Sequence, residues 1–235
     1  MVILSFDTSG SATSVAVTAK GKLLGEVTLN SPINHSVTLM PTIDFLMTQL
    51  GLSPADLTRI AVAQGPGSYT GLRIAVTAAK TLAATLGIEL VGVSSLQAIA
   101  ERAHSDRMVV PLMNARRGLV YAGGYRAGRH LIKDQHIGLD ELLARLEGHE
   151  APVFTGDAGL FREEILAKIP EATILSEAPF NLPSAFEIAK LAENLPSVEN
   201  VNDFNPVYLK KVEAEEKWEA SSGLRADDKD LVSRV

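Results

Sequence analysis

The chain has 235 residues, of which 46% are hydrophobic, 21% charged and only 5% aromatic. That length can bury one large core or two small ones, filled here mainly by Val, Ile, Leu and Ala. There is no cysteine, which excludes disulfides and thiolate metal sites. The formal net charge of −6, with 28 acidic against 22 basic residues, argues against a chain that grips nucleic acid unaided.

The opening Met1-Val2-Ile3-Leu4-Ser5-Phe6-Asp7 has no basic leader and meets an acid at once. It does not read as a signal peptide, and no apolar run reaches membrane-spanning length. A cytoplasmic protein without membrane association is expected. Val2–Phe6, Ser14–Thr18 and Leu23–Leu29 predict a three-stranded antiparallel meander, turning at Asp7-Thr8-Ser9-Gly10-Ser11 and at Gly21. A helix follows, capped near His35-Ser36, with Val37, Met40, Ile43, Leu46, Met47 and Leu50 at helical spacing. Pro41 falls inside it and predicts a kink or an early-turn position.

Ile60–Ala63 reads as a buried strand. Gly65-Pro66-Gly67-Ser68-Tyr69-Thr70-Gly71 is a loop opening a long helix to about Leu86, and Ile88–Val93 is the next strand. Ser94 and Gln97 stand at capping-box spacing before another helix. The order βββ-α-β-α-β-α is that of a ribonuclease-H-like unit. Polar His104-Ser105-Asp106-Arg107 marks the expected boundary between an N-terminal lobe, 1–106, and a reduced second lobe, 107–212. In the latter, strands near Val109–Met113, Leu119–Tyr125, Leu131–Ile137 and Val153–Thr155 are joined by helices near Asp140–Leu146, Leu160–Ile169 and Ser184–Leu195. Residues 213–235 turn charged and are expected to be a mobile tail. The predicted fold class is α/β, with mixed sheets in two actin/Hsp70/sugar-kinase-type lobes.

Three constellations could carry chemistry. Asp7-Thr8-Ser9, in a turn between strands, offers hydroxyls and a carboxylate, but the spacing alone favours an ordinary polar turn. Gly65, Gly67, Ser68 and Thr70 lie where a strand feeds a helix N-terminus, whose free amides suit an anion. No Lys-Ser or Lys-Thr pair closes that loop as in a Walker motif, and a tight connection explains the glycines equally. Asn114 and Arg116, in Asn114-Ala115-Arg116-Arg117-Gly118, could receive a phosphate, although a solvated basic turn is the simpler reading. Thr155-Gly156-Asp157-Ala158-Gly159 repeats the strand–loop–helix theme. The histidines, His35, His104, His130, His136 and His149, form no paired ligand motif, so no metal site and no cofactor are expected. No nucleophile elbow occurs either.

The helix after Gly71 has a ridge of small residues, Gly71, Ala75, Ala79 and Ala83, four apart. Small side chains let another element approach closely. The ridge could pack on its own sheet, or it could serve a partner while Ile74, Val76, Leu82 and Leu86 form the core.

Phe6-Asp7-Thr8-Ser9, His35-Ser36 before Leu39-Met40-Pro41, and Gly65-Pro66-Gly67-Ser68-Tyr69-Thr70-Gly71-Leu72-Arg73-Ile74 make a distinctive series. It continues with Gly92-Val93-Ser94-Ser95-Leu96, Asn114-Ala115-Arg116-Arg117-Gly118 and Pro206-Val207-Tyr208-Leu209-Lys210. Over nearly the whole chain this series resembles the TsaB family, also called YeaZ. The resemblance implies a non-catalytic scaffold or activator for threonylcarbamoylation of tRNA adenosine. It implies pairing with a catalytic paralogue, TsaD, which carries the metal-binding histidine pair, and a small ATPase, TsaE, in the complex. It also implies a homodimer in isolation and contact with tRNA only through the complex. On this reading Asp7, Thr8, Ser9, Gly65, Gly67, Ser68, Thr70, Asn114 and Arg116 form a vestigial nucleotide or anion site. The partner surface comprises His35, Met40, Ile43, Met47, Gly71, Ala75, Ala79 and Ala83. The family usually has Asp where this chain has Asn114, which weakens charge chemistry there. The competing expectations are an active phosphotransferase of the sugar-kinase type and a metallopeptidase-like enzyme.

Overall fold

A computed structural model describes residues 1–31 and 34–210; the expected tail, 213–235, lies outside the described residues. The first half runs β1 (Val2–Asp7), β2 (Thr13–Ala19), β3 (Lys22–Leu29), α1 (His35–Gln49), β4 (Arg59–Gly65), α2 (Tyr69–Leu86), β5 (Glu89–Ser94) and α3 (Ser95–Glu101). Its sheet has the order β3-β2-β1-β4-β5. The meander is antiparallel, and β4 and β5 join it in parallel. β1 and β4 are central and covered on both faces, which is why they read as unbroken apolar runs rather than alternating ones. Leu4, Phe6, Ile60 and Val62 point to one core beneath α1 and α2. Ile3, Ala61 and Ala63 point to the other.

The helix ends follow local chemistry. Asn34, rather than His35 or Ser36, caps α1, its side chain accepting from Ser36 N. Pro41 sits inside the helix rather than in its first turn, on the exposed side. Ser68 caps α2, and Gly87, at φ 65°, ends it in the left-handed conformation that glycine adopts without a Cβ penalty. Ser94 caps α3 by accepting from Gln97 N. Gln97 does not reach back to close a box, because its amide donates to the Gly128 carbonyl.

The second half repeats the plan: β6 (Val109–Arg116), β7 (Leu119–Arg126), β8 (Arg129–Gly138), α4 (Leu139–Leu146), β9 (Val153–Gly156), α5 (Arg162–Lys168), β10 (Thr173–Ile174) and α6 (Ala185–Ala192). The order β10-β9-β6-β7-β8, with the same directions, makes it a copy of the first topology. The reduction is in β10, two residues long, and α5, seven.

One boundary is corrected. Sequence spacing assigned everything from 107 to 212 to the second lobe, but α6 packs on β1 and β2 of the first sheet. There Ile188, Ala189 and Ala192 close the core of Ile3, Ala61 and Val91. The chain beyond it stays on the first lobe: Val198 N donates to Leu90 O, and Val207 N to Gln64 O, at 2.8 and 2.7 Å. α3 in turn packs on β6 and β7, with Leu96 and Ala100 against Val109 and Tyr125. Each lobe thus lends its third helix to the seam with the other. Among the described residues no helix is long and apolar enough to cross a membrane.

Candidate functional site

Two concave surfaces meet at the N-terminus of α2. The first is a cleft of about 620 Å³ between the lobes. It gathers Asp7, Ser9, Gly67 and Ser68 from the first lobe with Asn114, Arg116 and Asp157 from the second, and Lys210 at its mouth. The three constellations read separately from the sequence therefore face one space. The topology requires it: β1, β4, β6 and β9 all end toward the seam, so their following loops converge.

Asp7 is buried. Its Oδ1 accepts from Ser9 N at 2.6 Å, while Oδ2 has no hydrogen-bond partner among the described residues. Burial pushes its carboxyl above the usual range, against smaller opposing effects of Ser9 and His35. Ser68 N donates to Ser9 O at 2.7 Å, and the Thr8 hydroxyl donates to Gly71 O at 2.7 Å. A Cβ at Gly71 would run into the Thr8 carbonyl, so glycine there lets α2 begin against the first turn. On the other wall, Asn114 N donates to Asp157 Oδ2 and Asn114 Oδ1 accepts from Arg116 N, each at 2.8 Å. The Asn114 side chain is thus occupied in holding its own turn, in which Arg116, at φ 69°, takes a left-handed conformation. Thr8, Gly65 and Thr70 do not line the cleft. Thr8 is buried beneath α2, Gly65 is packed on the Val207 carbonyl, and Thr70 faces outward on α2. The amides of Ser68 and Gly71 are engaged within the chain, which leaves the loop less able to bind an anion than its sequence suggests.

The second surface is an open apolar groove of about 730 Å³ on the outer faces of α1 and α2. It is lined by Met40, Tyr69, Thr70, Arg73, Ile74, Thr77, Ala78, Thr81 and Leu82. Val37 and Phe45 are also largely exposed on α1. This corrects the expected partner surface. Ala75, Ala79 and Ala83 are at most 1% exposed and lie in the first core with Ile43 and Met47; Gly71 is buried as well. The small ridge is the inward face, where it lets α2 lie close on the sheet, and Ile74 and Leu82, expected inside, flank the outer face. Of the expected set only Met40 lines the groove. His35 turns inward: its Nε2 lies 3.0 Å from Gly10 O and its Nδ1 2.8 Å from Thr13 Oγ1. A carbonyl only accepts, so Nε2 is the donor to Gly10.

The groove residues missed in the sequence had one signal. Tyr69 and Arg73 are four apart on a helix, and Arg73 donates to the Tyr69 hydroxyl at 3.0 Å. Tyr69 lines both surfaces and stacks on Tyr208 at 4.9 Å.

Comparison with known proteins agrees with this architecture. Residues 22–218 match the family model described as TsaD: tRNA N6-adenosine threonylcarbamoyltransferase. The "tRNA threonylcarbamoyladenosine biosynthesis protein TsaB" of Bacillus subtilis (strain 168) is 36% identical over 93% of this chain and 98% of its own length. The solved structure of YeaZ from Pseudomonas aeruginosa superposes with a TM-score of 0.72 at 26% identity, covering 88% of this chain and 99% of that one. At 10% identity, the activator of the 2-hydroxyisocaproyl-CoA dehydratase from Clostridium difficile shares the fold alone, with a TM-score of 0.51 over 85% of this chain and 100% of that one. Expected fold and observed fold coincide: two ribonuclease-H-like lobes of the actin type, the second reduced. Motifs, topology and relatives converge, and the chain belongs to the TsaB (YeaZ) family.

Proposed function

We propose that this chain works in the biosynthesis of threonylcarbamoyladenosine in tRNA as a non-catalytic supporting subunit. It does so by docking on a TsaD-like catalytic subunit of the same fold, with a TsaE-like ATPase joining the complex. The observation that carries this reading is the α1–α2 groove. A contiguous apolar surface with Met40, Ile74 and Leu82 on it has the character of a helix-docking face. Its rim residues Arg73 and Thr77 can fix the register of a partner. The cleft supports the same reading, since the Asn114 side-chain oxygen and the amides of Ser68 and Gly71 are already engaged within the chain. An acidic balance of 28 to 22 favours tRNA contact through the complex over contact by this chain alone. Without the catalytic subunit, the groove would join two copies of this chain.

The test is co-expression with the catalytic paralogue from the same genome, followed by co-purification and reconstituted modification of tRNA. The expected result is a stable complex, with tRNA modification needing both chains. Undiminished modification in the absence of this chain, or catalysis by this chain alone, would overturn the proposal.

A further inference from the structure

The second lobe holds a pocket of about 580 Å³ that shares no lining residue with the cleft or the groove. The shortening of one helix opens it. In the first lobe α1 has fifteen residues, roughly 22 Å. It packs onto the edge strand β3, where a Cβ at Gly25 would meet Leu46 and Leu50. Its counterpart α4 has only eight residues, roughly 12 Å. The edge strand beneath it, β8, has ten, roughly 33 Å. Arg145, in the last turn of α4, is level with Gln135, to whose Oε1 its Nη1 donates at 3.3 Å. The helix therefore stops while β8 still extends over 129–134, and the pocket lies at that stop.

The walls define what fits. Met108, Ile132, Leu142 and Leu146 give an apolar floor, and exposed Leu131 borders it. The volume is that of a site for one small organic molecule. Cationic groups reach the rim from separate elements, Arg126 on β7, Arg145 on α4 and His149 after it, against a single carboxylate, Glu150. Arg126 engages Glu150 through Nη2, and its Nε is buried without a hydrogen-bond partner among the described residues. A buried donor lacking an acceptor is costly, and a guanidinium meets a carboxylate best through two parallel N–H bonds. Arg126 thus keeps donor capacity for a second anion beside an apolar cavity. We infer that this pocket binds a small monocarboxylate with an aliphatic tail, the tail on the Leu142–Leu146 floor and the head on Arg126. Binding here is independent of which partner the groove serves.

The test titrates the full chain with decanoate, read by calorimetry and by methyl NMR shifts. The expected result is saturable one-to-one binding that moves the methyl signals of Met108 and Ile132. Octanoate, with two fewer methylenes to bury, should bind roughly tenfold more weakly. Decanol has the tail without the charge and should also lose at least about tenfold. Arg126→Met should weaken decanoate by a similar factor while leaving decanol unchanged, which separates recognition of the head from damage to the cavity. Leu131→Glu puts a carboxylate on the pocket wall at an exposed position and should abolish binding of both. An unchanged thermal melt shows that either variant is folded. Absence of saturable binding would overturn the inference, as would equal affinity for decanoate and decanol, or decanoate binding that survives both variants. Shifts at Met40 and Ile74 instead of Met108 and Ile132 would overturn it too, since they would assign the ligand to the groove.

Discussion

Ser94 and Asp134 bond across the seam between the lobes: the hydroxyl at the end of β5 donates to the carboxylate on β8 at 2.5 Å. The same carboxylate accepts from the buried Tyr125 hydroxyl, and Ser94 Oγ also caps α3. Burial, with Asp134 next in effect, holds the Tyr125 phenol well above its ordinary pKa, so it stays a donor. One carboxylate thus ties together the first lobe, the helix it lends and the second sheet.

Ser94→Ala should cost about 1–3 kcal/mol, through the lost cap and the carboxylate left one donor short. The informative measurement is a double-mutant cycle with Asp134→Asn. If the two groups act as one unit, chemical denaturation will show a coupling of at least about 0.5 kcal/mol. Additive effects would mean that the bond contributes nothing between the lobes.

Neighbouring positions on α2 should behave oppositely. Ala79 has no exposure and sits in the first core. Arg there must force a charged chain into close-packed apolar surroundings, so Ala79→Arg should yield an unfolded or insoluble protein; even Ala79→Leu should cost about 1–3 kcal/mol. Thr77 is exposed on the groove. Thr77→Arg should leave the thermal melt within about 0.5 kcal/mol of the parent while weakening retention by the catalytic paralogue. A soluble, folded Ala79→Arg protein would contradict the core assignment.

Gly71→Ala tests the contact between the first turn and α2. In most helix interiors this change is favourable. Here the new methyl would meet the Thr8 carbonyl, a backbone atom in the turn that follows β1, which would have to shift with it. A loss of about 1–3 kcal/mol is expected, measured by urea denaturation. Stabilisation would show that the turn and the helix can separate freely.

Asp7 gives a pH signature. Its carboxyl is raised by burial, so the folded state holds the proton more tightly than the unfolded state. The sign follows: between the unfolded and the folded pKa the unfolded chain releases its proton first, and stability falls as pH rises through that window. Asn cannot ionise and keeps an oxygen for Ser9 N. The melting-temperature difference between Asp7→Asn and the parent should therefore shift in favour of the variant from about pH 4 to about pH 7. A difference independent of pH would show that Asp7 ionises without penalty in the fold.

Much of this molecule was legible in its residues. The meander, the strand–loop–helix at Gly65–Gly71, the Ser94 cap and the likeness of the second half to a reduced first half follow from local rules, whereas the strand order does not. Periodicity, turn residues and caps act over a few residues and leave their mark in the chain. The loops carrying Asp7, Gly67 and Asn114 could be named individually, but their meeting in one cleft depends on parallel strands ending at the same seam.

Local patterns left open which way α2 faces. Its small ridge and its Ile74–Leu82 flank have the same helical period, and small residues permit close approach to a sheet or to another helix alike. The choice was made by β4 and the Thr8 carbonyl, which admit only the small face. The exchange of α3 and α6 between the lobes was equally invisible. An apolar helix face states that it must be buried, not against which of two similar sheets, and only the tertiary structure, where Ile188 and Ala192 close the core left open over Ile3 and Val91, decided it.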